Sequence, residues 1–377
     1  MNKSQRWLIL GIFGLIYFIA LMYANRPMDG DFFQSRRGST ETGRIVLVHS
    51  RNSDWWYPVE VEILSGPWRG NVVEGEFQHS PAYASPQAGD QFSIEVMPRD
   101  DGTIHVLARN PERRGPLLGL IAFFIGALLL LGGKKGLRAI SGIGFTLTSI
   151  FFLLIPLLVR GYPMIGTTLF IVLIMSVVTV TIIGGSLPKI ITAILGTMVG
   201  VVFSLFIAEI FGGMAHINGL HWGEAPTIIS TTAMTEYGIR GLFTGGILIA
   251  SLGAVLDTSV AIASAMEEVR IAKPKISPIK LFRSGMNVGR DAMGTMSNTL
   301  ILAFVGASLN TVIIIAMHDF SLNQILNDPT HAMEILRSLS GSLGIIFAVP
   351  AASFIGALLL GNASQRTFQT SERPRRA

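Results

Sequence analysis

Long apolar runs alternate along this chain with short charged breaks. Lys3 and Arg6 precede an apolar run from Trp7 to Tyr23, and residues 26–114 then carry no comparable run. Apolar stretches return at Leu117–Leu131, Ala139–Val159, Pro163–Ile183, Ile190–Phe211, Gly241–Ser264, Thr295–Met317 and Leu339–Leu360. A bilayer core takes about 20 apolar residues in helical form. The runs predict an all-α polytopic membrane protein of about eight transmembrane helices. Ala20 and Ala24 do not have the A-x-A spacing of a cleavage site after the first run, so residues 1–25 are expected to remain as a signal-anchor helix.

Residues 26–114 show a different period. Val59–Ile63 and Gln91–Val96 alternate apolar and polar positions, as half-buried strands do. Ser65-Gly66-Pro67 ends the first of these, and Asp100-Asp101-Gly102 supplies a hairpin turn into Thr103–Leu107. Short strands with glycine turns predict a small OB-like β-barrel between the first and second helices. Trp55, Trp56 and Tyr57 are expected to act as core or as anchors near the membrane. Residues 115–377 are expected to form a bundle of about seven helices with a polar tail.

Charge gives the orientation. Lys134, Lys135, Arg138 and Lys189 fall on one side of the predicted spans, together with Arg270, Lys273, Lys275, Lys280, Arg283, Arg290 and the tail residues Arg366, Arg373, Arg375 and Arg376. The short loops on the other side carry only Arg160, Arg240 and Arg337. Short loops rich in Lys and Arg stay in the cytoplasm, whereas segments beyond about 60 residues cross largely regardless of charge. Both termini are therefore expected inside, and residues 26–114 outside. The net charge of +5 reflects this placement, so a lipid bilayer is the expected partner and nucleic acid is not. The absence of cysteine excludes disulfides, thiol chemistry and Cys-ligated metals.

Ionisable residues inside a span are costly and mark candidate sites. Asp257 sits on the Gly241–Ser264 run, about 10 Å in from its cytoplasmic end. Helical spacing aligns it with Gly246, Ala250, Gly253, Ala261, Ser264 and Glu268, a small and polar face expected to pack inward. Leu248, Leu252, Val255, Ser259, Ile262 and Met266 form the opposite face, expected to meet lipid. Ser277-Pro278 resembles a helix start, and Lys280 and Arg283 with Ile279, Phe282 and Met286 predict a short helix on the inner membrane surface. A glycine-rich approach, Ser284–Asp291, then leads to a span whose polar face holds Asp291, Thr295 and Thr299 with Asn298 beside it. Asp257, Asn287, Arg290, Asp291, Thr295, Asn298 and Thr299 are the candidate solute or ion site. Two readings stand: a proton- or cation-responsive cluster with Arg290 as counter-charge, or a buried ion pair that orders the helices. Glu209, near the outer end of its helix, is expected to snorkel. His216, His221 and Glu224 match no familiar ligand spacing, so no metal or other cofactor is expected. Gly289-Arg290-Asp291 also lacks the glycine-flanked aspartate of an intramembrane aspartyl protease.

The chain resembles the YibE/F family of bacterial multi-pass membrane proteins. The likeness rests on Gly253–Asp257, Ala261–Ser264 and Glu267, on Ser284–Asp291 and Gly294–Phe304, on Glu334, Arg337, Gly341–Gly344 and Pro350, and on Leu64-Ser65-Gly66 and Gly89-Asp90 in the outer segment. The resemblance implies a bacterial cytoplasmic membrane location and carries no biochemical activity with it. Two functions compete: a secondary transporter or channel for a small solute or ion, and a non-transport scaffold or envelope-associated protein that binds a partner through its outer barrel. A homo-oligomer is compatible with either, and an enzyme is not expected.

Overall fold

The computed structural model describes residues 14, 17–26, 39–49, 56–78, 85–98, 103–221, 225–232, 236–318 and 320–371. The chain divides into two compact units, residues 27–133 and residues 1–26 with 134–377.

The first unit holds a closed five-stranded barrel, β1 (Ser39–Val48), β2 (Trp56–Ile63), β3 (Val72–Gln78), β4 (Gln91–Pro98) and β5 (Ile104–Pro111), in the order β1-β2-β3-β5-β4. All neighbours are antiparallel except β3 and β5, where Gly75 faces Val106 and Phe77 faces Ala108 in parallel register. The core is Ile45, Val59, Val61, Ile63, Phe77, Phe92, Ile94, Val96, Val106 and Ala108. Phe77 and Phe92 meet edge-on at 4.9 Å between ring centroids, a favoured aromatic geometry. Strands β2, β4 and β5 cover the three alternating segments; β1 and β3 were not signalled by alternation. The Asp100–Gly102 turn and Trp55 lie outside the described residues, whereas Trp56 is half-buried and Tyr57 packs on the core. Where β5 ends, Glu112 accepts hydrogen bonds from Arg114 and from the Thr42 hydroxyl, at 2.9 and 3.2 Å.

Helices make up the rest. α1 (Arg114–Ser149), a π-helical turn at Ile150–Leu154 and α2 (Ile155–Val159) form one run, broken inside α1 at Gly133 (φ 50°, ψ −128°). There follow α3 (Met164–Ile183), α4 (Leu187–Met214), α5 (Ala225–Thr232), α6 (Glu236–Ala272), α7 (Pro278–Ala307), α8 (Leu309–Met317), α9 (Leu322–Asn327) and α10 (Pro329–Ser371). Residues 17–24 are also helical. Tyr17 there packs on Phe145, and the Asn25 side chain donates to the Phe152 carbonyl at 2.7 Å, inside the π turn.

Among the described residues, five helices are long and apolar enough to cross a membrane, or six if α7 and α8, bent by 68°, count as one span. The expected eight is not reached for two reasons. Most of the Trp7–Tyr23 run lies outside the described residues, and Leu117–Leu131 and Ala139–Val159 belong to the single run Arg114–Val159. That run has 46 residues, and at about 1.5 Å each it exceeds the roughly 30 Å hydrocarbon core.

Helices α4, α6, α7 and α10 share a core built on small residues. A Cβ on Gly200 of α4 would lie 2.7 Å from the Gly344 carbonyl oxygen of α10, and one on Gly344 would lie 2.8 Å from the Gly200 oxygen. The two backbones touch, which only glycine permits. Gly289 of α7 likewise receives Val349 and Ile262. The short interfacial helix expected from Pro278 through Met286 is in fact the first part of α7, which runs unbroken to Ala307. Gly285 and Gly289 act as packing hollows, and the break falls at Ser308.

Candidate functional site

Asp257 lines a groove of about 730 Å³ bounded by three stretches of helix. The C-terminal part of α1 contributes Lys135, Arg138, Gly142 and Thr146, whose three- and four-residue spacing puts them on one helix face. α3 contributes Met175 and Thr179, and α6 contributes Ile249, Leu252, Gly253, Leu256 and Asp257. Lys189, at the start of α4, closes one end. Its ammonium lies 3.4 Å from Glu267, which also accepts from the Ser186 backbone N–H at 3.0 Å. Lys189 is thereby neutralised within the protein. Lys135, Arg138 and Asp257 make no ion pair or hydrogen bond among the described residues, so their charges are open to whatever enters. Aliphatic side chains make up most of the remaining wall, so the groove is largely apolar with charged groups at a few points.

The faces of α6 are the reverse of those expected. Leu248, Leu252, Val255, Ser259, Ile262 and Met266 are buried, while Gly246, Ala250, Gly253, Asp257 and Ala261 are exposed. The cause is the distribution of small residues among the partners. Gly200 of α4 and Gly285 and Gly289 of α7 form hollows that Val255, Met266 and Ile262 of α6 enter as knobs, while Gly196 of α4 receives Ser259 beside Ala352 of α10. The rule that small residues face inward holds for α4 and fails for α6, because two glycine faces leave nothing to fill the gap.

The proposed convergence of Asp257 with the α7 residues does not occur. Asn287, Arg290, Asp291, Thr295, Asn298 and Thr299 are all exposed, none lines the groove, and no ion pair joins Asp257 to Arg290 or Asp291. The packed face of α7 is Leu281, Gly285, Gly289 and Leu300, so its polar face points away from the bundle. Thr295 and Thr299 donate to carbonyls of their own helix, at 3.0 Å to Ala292 and 2.9 Å to Thr295. The residues that sequence reasoning missed are Lys135 and Arg138, read only as orientation markers, and Thr146 and Thr179. The one-face spacing of 135, 138, 142 and 146 was the available signal.

A second polar group lies toward the other end of the bundle. Glu209 accepts from Arg240 at 2.8 Å and from the Thr244 hydroxyl at 2.9 Å, so it is held by α6 instead of snorkelling. Arg337 pairs with Glu334 at 3.2 Å and lies 5.4 Å from the Phe243 ring centroid and 5.9 Å from that of Phe304, which ties α10 to α6 and α7. Neither group lines the groove. Among the described residues no three His, Asp or Glu side chains are placed to hold a metal; Glu224 lies outside them.

The family model for YibE/F-like proteins matches residues 120–362. The chain belongs to the YibE/F family. The matched stretch takes in the groove, α7 and nearly all of the glycine-packed core, and it leaves out the barrel. No curated protein and no solved structure matches the chain.

Proposed function

We propose that this YibE/F protein is a secondary transporter or channel for a small solute or ion, with Asp257 as the central group of its pathway. The observation that carries the reading is the groove, lined by an unpaired carboxylate on one helix and by unpaired Lys135 and Arg138 on another. Its volume falls within the roughly 300–1,000 Å³ range of small-molecule sites. Unlike charges held apart in a mostly apolar wall suit a solute carrying both an anionic and a cationic group, the anion toward Lys135 and Arg138 and the cation toward Asp257. In this reading the chain lies in a bacterial cytoplasmic membrane with both termini inside. The barrel lies outside, and its strand order supports an OB-like assignment.

The test is small-molecule profiling of cells with and without the chain. The wild type should shift the pool of at least one small zwitterionic or anionic solute. Asp257→Asn should abolish that shift at an unchanged level of protein in the membrane. Equal pools with and without the wild-type chain would sink the proposal.

A further inference from the structure

The outward face of α7 is polar where it should be apolar. At about 100° per residue, Asn287, Gly294 and Asn298 mark the centre line of that face, with Arg290 and Asp291 flanking it on opposite sides. All five are exposed, and the side chains of Asn287, Arg290, Asp291 and Asn298 make no hydrogen bond or ion pair among the described residues. Depth follows from the packing. Gly289 lies against Ile262, and Leu300 lies against Gly341, which also faces Ser251 of α6. Asn298 therefore sits level with the middle of the Gly238–Ala272 span. Polar groups inside spans are found against protein or a water-filled path rather than acyl chains, so a carboxamide at that depth calls for a partner.

We infer that this face docks on the same face of a second copy of the chain. The pattern is self-complementary about a two-fold axis along the membrane normal. Such an axis brings equal depths together, and Arg290 and Asp291 differ in height by only about 1.5 Å. Because they flank the centre line on opposite sides, Arg290 of each copy meets Asp291 of the other, giving two ion pairs related by symmetry. Asn298 then meets its own counterpart as an interhelical hydrogen-bonded pair, and Gly294, with no atom within 4 Å of a Cβ built on it, lets the backbones approach. The apolar stretch Leu117–Leu131 cannot serve instead, because it contains no polar side chain to answer Arg290, Asp291 or Asn298. The inference stands whether or not the groove carries a solute.

The lack of cysteine makes the test direct. Asn298→Cys in the full chain, oxidised in native membranes, should give a covalent dimer that persists when the protein is diluted with lipid. Phe354→Cys, on an exposed position of α10, should not. Reversing one charge by Arg290→Asp should cause loss of the Asn298→Cys dimer, and adding Asp291→Arg should restore it. A product of any other mass, no product, equal cross-linking at both positions, or indifference to the charge reversals would overturn the inference.

Discussion

The barrel and the bundle close their cores by opposite means. In the barrel, large side chains do the filling: Phe77, Ile45, Ile63 and Ile94 are fully buried, and water on the outer face sets which side of each strand turns in. In the bundle, two helix backbones meet directly at Gly200 and Gly344, and buried polar groups are serine and threonine hydroxyls such as Thr192, Thr197, Ser204 and Ser353. Lipid offers no hydrophobic gradient between the two sides of a helix, so close van der Waals approach replaces burial as the source of stability. The difference teaches that removal of volume should hurt the barrel most, and addition of volume the bundle.

Phe77→Ala tests the barrel. Emptying a fully buried aromatic position should cost about 3–5 kcal/mol. Hydrogen exchange on the full chain in micelles should quicken across residues 39–111 and stay unchanged in α4 and α10. Uniform exchange changes in both regions would mean that the two do not behave as separate cores. Gly344→Val tests the bundle: its side chain must displace the Gly200 backbone, at an overpacking cost of about 1–3 kcal/mol or more. The expected readout is a lower melting temperature of the bundle, with barrel exchange untouched; a tolerated valine would show that the α4–α10 contact is looser than its geometry.

A smaller effect is electrostatic and belongs to the barrel. Hydrogen bonds from Arg114 hold the Glu112 carboxyl down to about 2, from an ordinary 4.5. A depressed carboxylate contributes stability that is complete above its ordinary value and is lost as pH falls toward 2. For a solvent-screened pair that contribution is at most about 1 kcal/mol. Melting of the wild type and of Glu112→Gln should differ at pH 7 and converge as the medium is acidified below pH 4; a gap that widens in acid would contradict the assignment.

The same contrast explains which features were legible. β2, β4 and β5 could be read because their inward positions all carry apolar side chains. β1 and β3 could not, because each places a glycine inward: Gly43 against Val61 and Ile94, and Gly75 against the Val106 backbone. β1 also slips register between Ile45 and Leu47. A missing side chain breaks the alternation where the fold is tightest. In the bundle five spans, or six with α7 and α8 taken together, were legible from length and hydropathy, but the orientation of α6 was not, because which face packs depends on where its neighbours keep their glycines. The candidate site was legible in one residue: Asp257 lies in the groove, whereas the α7 residues expected beside it face outward.

The π turn at Ile150–Leu154 sets a phase. Upstream of it, Arg138, Gly142 and Thr146 line the groove, whereas Leu153 and Leu154 within it and Leu158 beyond it are sunk in the core. Such a turn fits one residue more than an α turn into about the same rotation, so winding the same five residues as α would carry the stretch back to Arg138 round by about 100°. The guanidinium and the threonine would swing off the groove with no change in their own identity. The winding of this stretch determines which side of the helix meets Asp257.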